Sequence, residues 1–272
     1  SISIASSALF AGGVTVNGGD NGDGSDDLTV SGTAGDDTIV VALATSSVTG
    51  VVGGPISVNG IENLTANGGG AAAGDDLDVT GFGAVSGLER LEINANSLAG
   101  DTLDVTGTAG NDTIHFNATD ANSGAITRSG TDTTIAYTSL DATAALTVQG
   151  GAAGFDILHV LGTEGDDTIT MPTASSVTRD GTVTIGAGID RLDITGAGGD
   201  DTVTLGALAI AAQVDGGAGA DTIDGGAEHH RTIHESHVGA DDVHSGAGAV
   251  QPFPRHSGAG VVGTRNPESG QS

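Results

Sequence analysis

The chain has no cysteine, no tryptophan and no lysine, and aromatic residues make up 2% of its 272 positions. Without cysteine there are no disulfides, no thiolate zinc sites and no cysteine nucleophile. All seven basic residues are Arg, set against 35 acidic ones, and the formal net charge is -28. A polyanion without a basic cluster is a poor partner for nucleic acid or an anionic membrane surface, so no nucleic-acid binding is expected. No apolar run approaches the roughly 18 residues of a membrane-spanning helix, and no membrane insertion is expected. No positively charged start leads into an apolar segment, so no signal peptide is visible. The chain opens with Ser1 and its one Met is Met171, which reads as a processed product or a stretch of something longer.

What is abundant is glycine, at 48 positions, and aspartate, which supplies 28 of the 35 acids. Such a balance reads as disorder unless the 37% of hydrophobic residues are patterned. They are, and the pattern is a repeat. Gly32-Thr33-Ala34-Gly35-Asp36-Asp37-Thr38-Ile39 returns at 107–114 and 162–169, with looser copies at 196–203 and 216–223. A second unit precedes the first three copies: Asp26-Asp27-Leu28-Thr29-Val30, Asp101-Thr102-Leu103-Asp104-Val105 and Asp156-Ile157-Leu158-His159-Val160. Its leading Asp stands 11 residues before the next unit's Asp, at 26 and 37, 101 and 112, 156 and 167. A third unit is Gly60-Ile61-Glu62-Asn63-Leu64, with relatives at Gly87 and Gly188.

Apolar anchors recur every 9 to 14 residues: Leu64, Leu77, Leu91, Leu103, Ile114, Ile126, Ile135, Leu146, Leu158, Ile169, Val183, Leu192, Val203, Val214 and Ile223. Around many of them apolar and polar residues alternate, the period of a strand with one buried face. Gly-rich and Asp-rich turns lie between. Short strands at a near-constant interval predict an all-β chain, a parallel β-solenoid (β-helix or β-roll) of 11-residue strand–turn units over residues 1–227. The interval fits about 22 or about 33 residues per turn of solenoid. A sandwich or barrel of short strands is the alternative.

The segment Gly216-Gly217-Ala218-Gly219-Ala220-Asp221-Thr222-Ile223-Asp224 matches every fixed position of Gly-Gly-x-Gly-x-Asp-x-apolar-x. It resembles the nonapeptide of haemolysin-type (RTX) calcium-binding proteins. The copies at 32, 107 and 162 carry Thr in place of the second Gly, and the 196 copy carries Ala. The spacing is 11 rather than nine, with long inserts, so the chain is closest to bacterial secreted or surface proteins built of degenerate RTX-like strands. The resemblance covers residues 12–227 loosely. It implies Ca²⁺ held on stacked turns, with Asp37, Asp112, Asp167, Asp201 and Asp221 as ligands. Their upstream partners Asp26, Asp101 and Asp156 form a second tier. Oxygen ligands on flexible turns suit Ca²⁺, and rows of Asp would repel one another without cations. The plainer reading is that Asp and Gly are good turn formers.

Two other segments draw attention. Residues 20–27 resemble the start of an EF-hand loop, but Val30 falls where the bidentate Glu belongs. From Glu228 the strand repeat fades, and residues 228–272 hold six of the eight histidines and three of the five prolines. The stretch reads as a mobile tail, with Gly239-Ala240-Asp241-Asp242-Val243 still echoing the repeat. The spacing of His230, His234 and His237 raises a transition-metal site there as the rival reading.

Nothing points to catalysis. There is no Gly-x-Ser-x-Gly, no His-Glu-x-x-His and no phosphate loop. His115 and His159 fall at outward-facing strand positions with no nucleophile motif nearby. A β-helix polysaccharide lyase or hydrolase would need basic residues and aromatic platforms that are scarce here. Thr-x-Thr strands at 168–170 and 202–204 hint at an ice-binding ladder, but Val40, Asp104, His115 and Asp224 break it. The expectation is a non-catalytic, calcium-binding repeat protein, extracellular or at the cell surface, with a structural or adhesive role. Its partners would be calcium ions, cell-surface components or neighbouring repeats of a longer chain. The alternative is a calcium-responsive folding or secretion module of a larger exoenzyme.

Overall fold

The computed structural model describes residues 1–5, 12–19, 25–69, 74–82, 88–95, 100–131, 133–140, 145–225, 231–234 and 242–244. Among these the chain is all-β, with no α-helix and one short 3₁₀ turn at Leu43–Thr45. In chain order the strands begin with β1 (Ile2–Ala5), β2 (Val14–Asn17), β3 (Asp27–Ser31), β4 (Thr38–Ala42), β5 (Ser47–Thr49), β6 (Ile56–Asn59), β7 (Asn63–Asn67) and β8 (Asp76–Thr80). Then come β9 (Arg90–Asn94), β10 (Thr102–Thr106), β11 (Thr113–Asp120), β12 (Ser123–Arg128), β13 (Thr134–Thr138), β14 (Ala145–Gln149), β15 (Asp156–Leu161) and β16 (Thr168–Thr173). The series closes with β17 (Ser176–Arg179), β18 (Gly181–Ile185), β19 (Ile189–Thr195), β20 (Thr202–Thr204), β21 (Ala211–Asp215), β22 (Thr222–Asp224), β23 (Arg231–His234) and β24 (Asp242–His244).

These strands form two large mixed sheets. The first runs β1-β3-β7-β9-β13-β12-β11-β15-β19-β21-β23, the second β2-β6-β5-β4-β8-β10-β14-β18-β17-β16-β20-β22-β24. The chain crosses from one sheet to the other at nearly every turn, so 11 residues of sequence are one strand and the corner to the opposite sheet. Leu192 pairs with Ala212 and Val203 with Ile223, both parallel and both 20 residues apart. Two strands therefore complete a circuit there, which favours the shorter of the two expected periods. Beyond residue 227, β23 and β24 extend both sheets. The tail expected after Gly248 and the metal-site reading of the C-terminal histidines rest largely on positions outside the described residues.

The alternation of the sequence becomes the core. All fifteen anchors are buried. They stack in register, as in Leu28–Leu64–Leu91–Ile135 of the first sheet and Ile39–Leu77–Leu103–Leu146–Val183 of the second. Each strand alone buries two or three side chains, too few to hold it, and stacking makes the apolar column continuous.

Pairing is not parallel throughout. Three antiparallel meanders interrupt it: β4–β5–β6, β11–β12–β13 and β16–β17–β18. Each lies within one sheet. They account for many of the longer intervals, such as the 44 residues between Ile114 and Leu158. Their tight reversals carry the expected chemistry. Asp180-Gly181 closes β17 onto β18 with Asp180 at φ 55°, and Ser46 turns β4 towards β5 at φ 47°.

Candidate functional site

The candidate metal ligands all stand at the corners, just before a strand or at its first residue. Their carboxylates form chains of side-chain-to-backbone hydrogen bonds across stacked strands. At the start of second-sheet strands, the Asp37 N–H donates to Asp75 Oδ1 (3.0 Å) and the Asp75 N–H to Asp101 Oδ1 (2.9 Å). Farther along that sheet, the Asp167 N–H donates to Asp201 Oδ1 (2.8 Å) and the Asp201 N–H to Asp221 Oδ1 (2.9 Å). At the start of first-sheet strands, the Asp112 N–H donates to Asp156 Oδ1 (2.7 Å) and the Asp156 N–H to Asp190 Oδ2 (2.9 Å). The Asp26 N–H donates to Glu62 Oε2 at 2.7 Å in the same manner. Asp75, Asp101, Asp112, Asp156, Asp167, Asp201 and Asp221 are all buried.

The structure thus joins Asp37 to Asp101 through Asp75, Asp112 to Asp156, and Asp167 to Asp201 and Asp221. It does not join the partners spaced by 11, since Asp26, Asp101 and Asp156 start strands of one sheet and Asp37, Asp112 and Asp167 strands of the other. Asp75, Asp190 and Glu62 are members that the motif search passed over. Asp75 could have been found by aligning Asp75-Asp76-Leu77-Asp78-Val79 with Asp101-Thr102-Leu103-Asp104-Val105. Of the EF-hand-like stretch, residues 20–24 lie outside the described residues.

The repeat's Gly and Thr are explained by the same corner. Thr33, Thr108 and Thr163 each give their backbone N–H, at 2.6 Å, and their hydroxyl to the Oδ2 of the Asp four residues on. The glycine just before each Thr leaves the space that this carboxylate fills. A Cβ on Gly162 would meet Asp167 Oδ2 at 3.0 Å and, closer still, the backbone carbonyl of Gly196. Where Ala197 replaces the Thr, Asp201 Oδ2 is buried and has no hydrogen-bond partner among the described residues.

Electrostatics follow from burial. Desolvation pushes the Asp75 and Asp156 carboxyls up, against the lowering by the backbone N–H each accepts, and neighbouring carboxylates push the same way. Asp201, lacking the Thr donors, is pushed up to about 6, first by burial and then by Asp221 and Asp167. Two arginines close the chains where a meander replaces the preceding parallel strand. Arg128 of β12 pairs with Asp112 Oδ1. Arg179 of β17 lies 3.5 Å from Asp167 Oδ1 and donates to the Ala118 carbonyl at 3.0 and 3.2 Å. Arg90 and Arg191, equivalent in the repeat, pair instead with the residue two along their own strand, Glu92 and Asp193.

Each ladder carboxylate is thus surrounded by donors. That is the surrounding of an acceptor that satisfies backbone amides, whereas a Ca²⁺ shell needs oxygens converging on one point. Among the described residues no three of His, Asp or Glu converge in that way, so these carboxylates do not fit the calcium cage that the resemblance implies. An apolar recess lined by Val41, Leu43, Val48, Val58, Ile61 and Leu88 holds no titratable side chain. No helix among the described residues is long and apolar enough to cross a membrane. Family models give no match to this chain, and neither do curated protein sequences.

Proposed function

We propose that the chain is one stretch of a β-solenoid, interrupted by antiparallel meanders, with a non-catalytic structural or adhesive role at the cell surface or outside the cell. The observation that carries this reading is the pair of stacked corners. The acids that dominate the composition are spent on satisfying backbone amides between coils, and the described residues hold no convergent set of acid, base and nucleophile. A surface that is anionic and poor in basic residues suits a soluble spacer or a support for neighbouring repeats. The degenerate RTX-like motifs support the extracellular setting.

Calcium takes a different place in this reading from the one the resemblance implies. It acts as a counter-ion to surface acids, such as Asp78 and Asp104 that face each other across paired strands, rather than as a ligand of the buried ladder. Asp78 is pushed up by burial and by Asp76 and Asp104, as expected of crowded like charges.

Two measurements test the function. Fractionation of the producing cell is expected to place the protein at the surface or in the medium. Assays of the purified chain on neutral and acidic polysaccharides are expected to show no turnover. Retention in the cytoplasm, or turnover that survives purification, contradicts the proposal.

A further inference from the structure

His115 of β11 and His159 of β15 are partners in a parallel pair of the first sheet. They stand on its outward face, between the buried pairs Ile114–Leu158 and Phe116–Val160. Their Nδ1 atoms are 3.2 Å apart, and the ring planes are inclined at 49° with centroids 5.1 Å apart. Each ring is anchored at its far nitrogen. His115 Nε2 is 2.9 Å from Ser129 Oγ, and His159 Nε2 is 2.8 Å from Thr195 Oγ1.

Two ring nitrogens this close need something between them, either a proton or a cation. When both Nε2–H groups donate to their hydroxyls, both Nδ1 atoms carry lone pairs, and they face the same small space. Two nitrogens each about 2.0–2.1 Å from a single ion, at angles near 90–110°, stand about 2.9–3.4 Å apart. The observed separation falls inside that interval. The hydroxyl partners act as the outer contacts that fix ring orientation in metal sites.

We propose that His115 and His159 form a two-imidazole site for a divalent transition metal of the Zn²⁺ or Cu²⁺ class, with water in the remaining positions. The ion would tie the β11–β13 meander to the next parallel strand, at a junction between two kinds of pairing. Burial lowers the pKa of both rings, and His115 lowers that of His159 further, so both are neutral and able to bind near pH 7. Asp193 pairs in register with His159, but its carboxylate is engaged by Arg191 at 2.6 and 2.7 Å, which leaves the imidazoles as the ligands.

The test is a Zn²⁺ titration of the full chain, followed through the imidazole ¹⁵N resonances. His115 and His159 are assigned with the variants His115→Gln and His159→Gln. The two Nδ1 resonances are expected to move together to metal-bound values, and Zn²⁺ is expected to raise Tm. In His159→Gln, binding at His115 should weaken about tenfold or more and the Tm rise should vanish. The strand signal in circular dichroism confirms that each variant is folded. Nδ1 resonances that stay put in the wild-type chain overturn the proposal without recourse to a variant. So does a His115 shift that persists undiminished in folded His159→Gln.

Discussion

Asp201 and Asp112 occupy equivalent corners yet should respond oppositely to the same change. Asp112 accepts from Thr108 and Arg128. An amide nitrogen there would face donors, so Asp112→Asn is expected to cost about 2–3 kcal/mol. Asp201 has a buried oxygen without a donor, beside the Gly196 backbone. Its carboxyl, raised to about 6, keeps a proton that the unfolded chain releases near 3.8. Stability from this group is therefore fully present below about pH 4 and is lost as pH rises through 6, by an amount of order 2 kcal/mol. Asp201→Asn should match wild type at pH 4 and exceed it at pH 7, as read from urea melts at both values. Glycine gives a second contrast. Gly162→Ala drives a methyl into backbone and carboxylate, whereas at Gly35 the nearest atom is Thr33 Oγ1 at 3.7 Å. The first should cost several kcal/mol and the second almost nothing. The motif made these positions visible in the sequence. Their hydrogen bonds were not visible, because a Gly–Thr–Asp corner reads alike for a cation shell and for an amide cap.

Among the elements, the strands were legible and the meanders were not. Every anchor taken from the alternating pattern is buried because the period of two directly reports one covered face. A meander has the same period, so β12 and β17 look in sequence like any other strand, and only Asp180-Gly181 signals a reversal. Their cost is two interrupted ladders, and Arg128 and Arg179 fill the gaps. Arg179 is 3% exposed, so Arg179→Ala would leave the Ala118 carbonyl without this donor and Asp167 without its cation. A loss of about 3–5 kcal/mol is expected. Arg90→Ala, at an exposed pair 3.6 Å apart, should fall within about 1 kcal/mol. Thermal melts of the two variants side by side check the ranking.

At the scale of the molecule, stability is a sum over neighbouring coils. Removal of residues 197–216 takes out one full circuit and brings Asp221 to the place of Asp201, so the shortened chain should fold with the same strand signature. Removal of 197–206 alone puts strands of one sheet where the other belongs, and that chain should fail to fold. The circuit length was ambiguous in the sequence because an 11-residue unit counts strands, not the number of faces they share out. Partners and location leave no such periodic trace.

The central claim is that the buried aspartates hold the coils by accepting backbone amides. Its most direct test is the far-UV circular dichroism and melting of the chain in EDTA, then in millimolar Ca²⁺ or Mg²⁺ at matched ionic strength. A strand spectrum in EDTA, with the same melting temperature in all three solutions, is the predicted result. A coil spectrum in EDTA that turns to strand with Ca²⁺ but not with Mg²⁺ would contradict it and make the corners metal cages.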